Sequence, residues 1–406
     1  MSGSLVGVRV LDFSWVIAGP FGTGILADLG AEVIKLEPVG LSERDRGFGP
    51  YVGGMSTFRF GLDRGKKSMA IDLRKPEGRQ LVYQLVPHMD AVVENFTPGT
   101  MARLEVDYET LRQYNPRLVY LSSSAYGQYG PYRDERALDI MIQAVSGLLS
   151  QGEPAKRGSQ PVTTPVPMVD LSSGIYIAVA ILAALYERER SGLGQYIDMG
   201  MLDCALSLME NVIIRYSARH EVKAGRQWDT SFVWPHEAFR AKDAWMVIAQ
   251  VTNWKSLCEK IGRPDLGEDP RYQTNSQRAE HKEVLEPELE NAFVGRPVAE
   301  WRAELEGFCS VTPVNTIDKV LEDPQVKARN AILSLPVPPA PGKEVLVPNS
   351  PFSKMSRTPG QPQGPAPIYQ QHTDQVLRDI LGLSDAELEA LERAGVIGRL
   401  RPEGQR

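Results

Sequence analysis

Between Val8 and Ser122 short apolar runs alternate with helical patterns, and that alternation limits the fold more than any other feature of the chain. Val8-Arg-Val-Leu-Asp-Phe13 reads as a strand, followed by the glycine-containing turn Ala18-Gly-Pro-Phe-Gly-Thr-Gly24 and a short helix through Leu29. Gly30 stops that helix, where a residue with positive φ is expected. Glu32 to Glu37, Ser68 to Leu73, Ala91 to Glu94 and Leu118 to Ser122 read as further strands, with a helix over Pro76 to Leu85. Strands alternating with helices imply an α/β fold with a mostly parallel sheet covered on both faces, of the Rossmann-like, dinucleotide-binding type.

A chain of 406 residues exceeds what one core usually holds, so a second domain is expected. Leu171 to Arg190 reads as an apolar helix, stopped by Ser191-Gly-Leu-Gly-Gln195 and followed by a strand over Tyr196 to Met199. A helix over Met201 to Arg219 comes next. From Ala224 the character changes: Trp228 to Trp254 is rich in aromatics, Ala244 to Ala249 is strand-like, and Glu283 to Leu305 reads as one charged helix. The expected division is a large domain over 1–224, a smaller α+β domain over 225–330, and a return to the large domain over 331–406. Pro336 to Pro367, rich in proline and without periodicity, reads as an extended crossing. Ser384-Asp-Ala-Glu387 is a capping box opening a last helix, which Gly395 closes.

Composition removes several function classes. A net charge of −6 argues against a general nucleic-acid binder. Cys204, Cys258 and Cys309 lie far apart, without zinc spacing or a disulfide framework, which suits free thiols in a reducing compartment. The start of the chain shows no signal-peptide pattern. The apolar run Ile175 to Leu185 falls short of the roughly twenty residues of a membrane span and reads as a buried core helix. A cytoplasmic protein without membrane, nucleic acid or metal is expected. Gly19, Gly22 and Gly24 do not form G-x-G-x-x-G, so a nicotinamide cofactor is not indicated. No Gly-x-Ser-x-Gly elbow or His pair points to a hydrolase or metal centre.

The strongest candidate for chemistry is Asp170, in Pro165-Val-Pro-Met-Val-Asp-Leu-Ser-Ser-Gly174 at the mouth of the apolar helix. A poorly solvated carboxylate can attack an activated acyl group, given donors for the oxyanion. Asp is also a preferred N-cap, and the two roles are compatible. Glu94-Asn-Phe-Thr-Pro-Gly99 follows a strand at the sheet edge where ligands sit, and Arg103 is expected on the first turn of the next helix, free to hold a phosphate. Ser122 to Tyr132 suits a substrate-lining loop, Asp139 a cap or a contact, and His236 lies in an aromatic setting.

Taken together, Val10-Leu-Asp-Phe with Ala18-Gly-Pro, Leu29-Gly-Ala-Glu-Val-Ile-Lys-Leu-Glu-Pro38, Asp72-Leu with Pro76-Glu-Gly, Glu94-Asn-Phe-Thr-Pro-Gly, Gly127-Gln with Gly130-Pro-Tyr, and the Asp170 segment with Gly194-Gln resemble family III CoA-transferases. The similarity runs in order through nearly the whole chain. The resemblance implies two interlocked subunits, a homodimer, with a hetero-oligomer as the other possibility. It implies Asp170 as the catalytic aspartate, passing through an aspartyl-CoA thioester. Coenzyme A, a substrate rather than a resident cofactor, would contact Ile17, Ala18, Asp72, Leu73, Arg74, Asn95, Phe96, Thr97, Arg103, Tyr126, Gly127, Ala137 and Asp139. Family members often carry a basic residue where this chain has Pro38, Thr97 or Ala137; Lys66, Arg44 or Arg136 could substitute. Related racemases carry a histidine where this chain has Leu138, so the second base of an acyl-CoA racemase or epimerase is missing. The expected reaction moves CoA from an acyl-CoA donor to a carboxylic acid, with short dicarboxylic groups such as succinyl, malyl or mesaconyl favoured and one-molecule C1–C4 transfer left open. Ser42-Glu-Arg-Asp-Arg46, with Arg59 and the aromatic stretch near Trp234 and His236, offers groups that could hold a second carboxylate, and Arg44, Arg46 and His236 are the expected substrate contacts. An acyl-CoA racemase or epimerase and a CoA-binding subunit of a hetero-oligomeric transferase are the alternatives.

Overall fold

A computed structural model describes residues 3–152, 163–222 and 234–400. The chain separates into two compact units, one comprising 1–150, 161–219 and 327–406, the other 151–160 and 220–326. The expected boundary at 224/225 and the tryptophan at 228 lie outside the described residues.

The first unit is built on β1 (Arg9–Asp12), α1 (Ala18–Asp28), β2 (Glu32–Glu37), a small hairpin of β3 (Tyr51–Val52) and β4 (Met55–Ser56), α2 (Thr57–Leu62) and β5 (Lys67–Ile71). Then come α3 (Pro76–Leu85), β6 (Ala91–Glu94), α4 (Thr100–Arg103), α5 (Tyr108–Leu111), β7 (Val119–Ser124), α6 (Asp139–Val145), α7 (Met168–Ser191), β8 (Tyr196–Gly200), α8 (Met201–Leu208) and α9 (Glu210–Arg219). The large sheet runs β5-β2-β1-β6-β7-β8, all parallel, with the C-terminal strand Ile397–Gly398 antiparallel on β5. Order therefore reverses between β1 and β6, the doubly wound arrangement.

Alternation along the strands explains why both faces are covered. Leu11, Ile34 and Val92 stand in register on one face and pack with Leu81, Val82 and Leu377. Val10, Val33 and Val93 point the other way, toward Leu26 of α1 and Ile177 and Ile181 of α7. Side chains that alternate on a buried parallel strand require apolar residues at both parities, which these strands supply.

Helix α1 meets α7 closely because both carry glycine at the crossing. A Cβ on Gly174 would lie 2.8 Å from the Ala18 carbonyl, and one on Gly22 2.8 Å from the Gly174 carbonyl. Neither backbone can yield without moving a whole helix.

Several sequence expectations change. Helix α7 is not buried all round: its 24 residues are long and apolar enough to cross a membrane by length and composition, yet Ile177, Ala178, Ile181 and Ala184 pack into the core while Ile175 and Val179 are exposed. The helix expected over Met201 to Arg219 breaks at Met209, whose amide turns back to the Leu206 carbonyl. The crossing over 336–367 begins inside a hairpin, Ile332–Pro336 paired with Glu344–Pro348, whose prolines sit at strand ends and hide the alternation. In the second unit, strands Glu237–Arg240, Trp245–Ala249 and Ser310–Pro313 form an antiparallel sheet. The helix expected over Glu283 to Leu305 is two, Lys282–Phe293 and Val298–Glu304, because Gly295-Arg-Pro297 turns the chain and Trp301 Nε1 donates to the Phe293 carbonyl (2.7 Å).

Gly174→Ala should destabilise the protein by about 1–3 kcal/mol through overpacking against α1. Urea unfolding of the variant beside wild type measures it; an unchanged midpoint would show that the crossing has slack.

Candidate active site

The reversal between β1 and β6 opens a crevice at their carboxyl ends, and the residues there are held by backbone-mimicking contacts. Phe13 still pairs with β6, its amide donating to the Val93 carbonyl (2.8 Å). Two residues on, the Asn95 side chain takes over: Trp15 N–H donates to Asn95 Oδ1 (2.7 Å), and Asn95 Nδ2 donates to the Trp15 carbonyl (2.8 Å). The next residue, Val16, is held at φ 65°, a left-handed conformation that a β-branched residue adopts at a cost of about 1–3 kcal/mol. Ile17 and Ala18 then open α1, which has no side-chain cap and no acidic residue in its first turn. The uncapped N-terminal end of its dipole suits an anion.

Beneath this loop lies a buried ionic cluster. Asp12 accepts from the Ser14 amide (2.9 Å), the Thr23 hydroxyl (2.6 Å) and Lys66 Nζ (3.0 Å). Burial pushes its carboxyl up, but Lys66 and Lys35 outweigh burial and hold it below the ordinary range. Lys66 is fully enclosed here, so it is no substitute phosphate ligand.

Asp170 stands in the opposite electrostatic state. It is the third residue of α7, not its N-cap, because the helix begins at Met168. The capping oxygen comes from another element: Asp139 Oδ1 accepts from the amides of Val169 (2.8 Å) and Asp170 (2.9 Å). The second Asp139 oxygen accepts from Gln143, which also bonds the Thr164 hydroxyl (2.9 Å). Among the described residues nothing donates to the Asp170 carboxylate itself. Burial first, and the Asp139 charge second, push it up to about 7. An underhydrated carboxylate without a cation is a better nucleophile than one in a salt bridge. One turn along the same helix, Gly174 abuts Ala18, so the start of α7 lies against the loop after Val16.

The remaining expected residues are placed as follows. Asp72 accepts from the Arg74 amide (3.1 Å) and pairs with its guanidinium (2.8 and 2.9 Å), Arg74 otherwise reaching into solvent. Leu73 and Phe96 pack on the core, and the Thr97 carbonyl accepts from the Thr100 amide. Arg103 ends α4 rather than opening it, because that helix is a single turn after Gly99; it is exposed and bonds only the Thr100 hydroxyl (2.9 Å). Tyr126 packs edge-on to Tyr132, and with Ala137 borders a small apolar cluster. Gly127 has φ 85°, and the next amide, Gln128, donates to both oxygens of Asp198. Arg44 and Arg136 are exposed. Arg46 is buried, bidentate to Glu37 (2.7 and 2.8 Å) and bonded to Glu43 (2.8 Å). His236 is exposed in the second unit.

Two residues escaped the sequence reading. Arg133 flanks Gly99 together with Arg103, pairing two cations that thirty positions separate. Glu94, buried at the end of β6, is pushed up to about 7 by burial although Ser122 and the Phe96 amide (2.8 Å) donate to it. Only its place before Asn95 pointed there.

Comparison with known proteins follows the same outline. A profile of CoA-transferase family III matches residues 5–373. The acetyl-CoA:oxalate CoA-transferase of Acetobacter aceti is 34% identical over 89% of this chain and 93% of its own length. The succinyl-CoA:glutarate CoA-transferase of Homo sapiens is 31% identical over 97% of this chain and 90% of its own. The crystal structure of a CAIB/BAIF family protein from Brucella suis superposes with a TM-score of 0.84 at 30% identity, covering 94% of this chain and all of that one.

Asp139→Asn should lower the Asp170 pKa, because it removes the neighbouring charge while keeping an acceptor for the two amides. Carbon-13 NMR titration of the Asp170 carboxyl reads this; a midpoint that stays near 7 would leave burial as the whole cause.

Proposed function

The chain belongs to CoA-transferase family III, and on that premise we propose that it moves CoA between carboxylic acids with Asp170 as the covalent nucleophile. The observation that carries this is the state of Asp170: half-buried, without a donor, pushed up to about 7, and one turn from the glycine that abuts the β1–α1 loop.

The proposed sequence begins with an Asp170 oxygen attacking the thioester carbonyl of an acyl-CoA. The C–S bond breaks, giving a mixed anhydride and the CoA thiolate. The thiolate attacks the aspartyl carbonyl, the anhydride C–O bond breaks, and the donor acid leaves as carboxylate from an aspartyl-CoA thioester. An acceptor carboxylate then attacks that thioester, and the same two steps run in reverse to release new acyl-CoA and free Asp170. Thioester energy is conserved throughout, and no proton need be stored. Unbonded amides at Ile17–Ala18, or the turn after Gly127, are the candidate oxyanion donors.

CoA is substrate and not a resident group. Its phosphates suit Arg103 with Arg133, and Arg74, exposed beyond Asp72. Asn95 to Thr97 and Leu73 would line its path, with Tyr126, Gly127, Ala137 and Asp139 at the reactive end. Asp139 would act there by capping α7 and by setting the charge state of Asp170. Short dicarboxylic acids are the proposed substrates; the oxalate and glutarate in the relatives' names are of that class. Leu138, exposed beside Asp139, offers no second base for racemisation. Exposed Ile140, Met141, Ile175, Val179, Ile213 and Ile214 support burial against a second copy, as in an interlocked homodimer. Buried Cys204 and Cys258 suit the cytoplasm.

Asp170→Asn and Asp170→Ala should abolish exchange while CoA binding, read by calorimetry, stays within about threefold. Wild type mixed with acyl-CoA should carry a CoA adduct on the Asp170 peptide in mass spectra; exchange by either variant ends the mechanism. For wild type, kcat/KM should fall about tenfold per pH unit below 7 as the nucleophile is protonated. The sign for stability follows from the same shift. A carboxyl raised in the fold from 3.8 to about 7 favours the protonated protein at low pH, and this contribution is lost as pH rises through 7. Asp170→Asn should therefore melt like wild type near pH 4 and be more stable above pH 7, by on the order of 1–3 kcal/mol.

A further inference from the structure

A cavity lies beside the crevice, between the β1–α1 loop, the segment 45–48 and α2. Trp15, Val16, Phe48 and Phe58 give it apolar walls, the two phenylalanines meeting edge-on at 6.2 Å between centroids. Its inner end is charged, with Lys35, Glu37, Arg46, Arg59 and Asp63. Asp170 is not part of its lining. The connection is the strained loop, since Val16 lines the cavity and Ala18, two residues on, abuts the helix of Asp170.

Among the described residues, the atoms at the charged end without a hydrogen-bond partner are Arg59 Nε and Nη2, Glu43 Oε2 and Asp63 Oδ1, the last standing 3.2 Å from Lys66 Nζ; of these only Arg59 presents donors. Arg46 is taken up by Glu37 and Glu43, Lys66 by Asp12, Thr23 and the Pro20 carbonyl, and Lys35 by the Ser14 carbonyl (2.7 Å). Arg59, its side chain only 4% exposed, bonds Asp63 through Nη1 (2.8 Å). Its Nε and Nη2 have no partner. Those two N–H groups form one edge of the guanidinium, the fork that matches the two oxygens of a carboxylate. Charge by itself is close to balance. Four cations (Lys35, Arg46, Arg59, Lys66) and three carboxylates (Asp12, Glu37, Asp63) are enclosed, each side chain at most 4% exposed. All three carboxyls are held below the ordinary range, so each is ionised. A fourth carboxylate, Glu43, faces the set through Oε1, which accepts from Arg46 and the Tyr369 amide (2.6 Å), while its Oε2 has no hydrogen-bond partner among the described residues. A buried guanidinium edge without an acceptor is destabilising unless something fills it.

We propose that Arg59 binds the distal carboxylate of the acyl group through its Nε–Nη2 edge, so that this cavity selects short dicarboxylic acids over monocarboxylic ones. The assignment rests on the transferase reading and deepens it. Of the arginines the sequence offered for this carboxylate it singles out Arg59: Arg46 is already taken up by Glu37 and Glu43, and Arg44 is outside the cavity. Phe48 and Phe58 would flank the methylene chain, and Val16 would stand between chain and thioester. The strain at Val16 then has a use, since an extended residue there would take its side chain elsewhere.

The test compares acceptors of matched length, succinate with butyrate and glutarate with valerate, on the full chain. Arg59→Lys keeps the charge and loses the fork; its kcat/KM should fall roughly 10- to 100-fold for the diacids and change less than about twofold for the monoacids. An equal fall for both, or none, overturns the proposal. Should the variant fail to melt cooperatively, wild type alone decides: equal use of succinate and butyrate overturns the assignment, and a strong preference for succinate supports it. Calorimetry with free glutarate separates the two readings. Binding to wild type and to Asp170→Asn but not to Arg59→Lys supports the pocket even where no exchange is seen, and the transferase mechanism then falls alone. Exchange confined to monoacids leaves the mechanism standing and removes Arg59.

Discussion

Everything at the crevice depends on one side chain imitating a strand. Where β1 stops pairing with β6, the amide of Asn95 supplies both a donor and an acceptor to Trp15, extending the ladder by one residue on one side only. The chain can then turn abruptly, and Val16 is forced to positive φ because Trp15 before it and the α1–α7 crossing after it are both fixed. A single polar clamp thus places the first turn of α1, the wall of the cavity and the abutment of α7. Asn is suited because its amide carries donor and acceptor together; a carboxylate would leave the Trp15 carbonyl unmatched.

Carboxylates within this unit fall into two groups, and the difference is the company they keep. Asp12, Glu37 and Asp63 are deeply buried, yet lysine and arginine neighbours outweigh the desolvation and keep them ionised. Asp170 and Glu94 are also removed from water but have no cation, and both are pushed up to about 7. The charges of the first group are neutralised by cationic partners, whereas the Asp170 and Glu94 carboxyls lack them among the described residues. Asp139 sharpens the contrast. It holds the Asp170 segment in helical form by accepting two amides, and at the same time adds a like charge beside it. Rigidity and basicity therefore come from one contact.

How much of this was legible depends on the range of the interaction concerned. The strands Glu32–Glu37 and Ala91–Glu94 and the helix Pro76–Leu85 could be read to the residue, because short apolar runs and a proline at a first turn are local signals. Ser384 likewise announced its capping box, and the Ser384 hydroxyl accepts from the Glu387 amide. The hairpin after Ile332 stayed hidden, since prolines at strand ends look like a loop. Helix α7 misled in another way: an apolar run looks the same whether both faces are buried or one is exposed.

Sequence alone determined the alternating architecture, the absence of zinc spacing and the presence of an aspartate near the start of an apolar helix, all of which are properties of neighbours along the chain. Tertiary structure decided what those residues mean. It brought Asp139 under the amides of residues 169 and 170, Asn95 across to Trp15, Arg133 beside Arg103, and left one edge of Arg59 without an acceptor. Such facts depend on which side chains burial brings within about 3 Å of each other, and on how much water it leaves them, and a one-dimensional pattern carries neither distance nor dielectric.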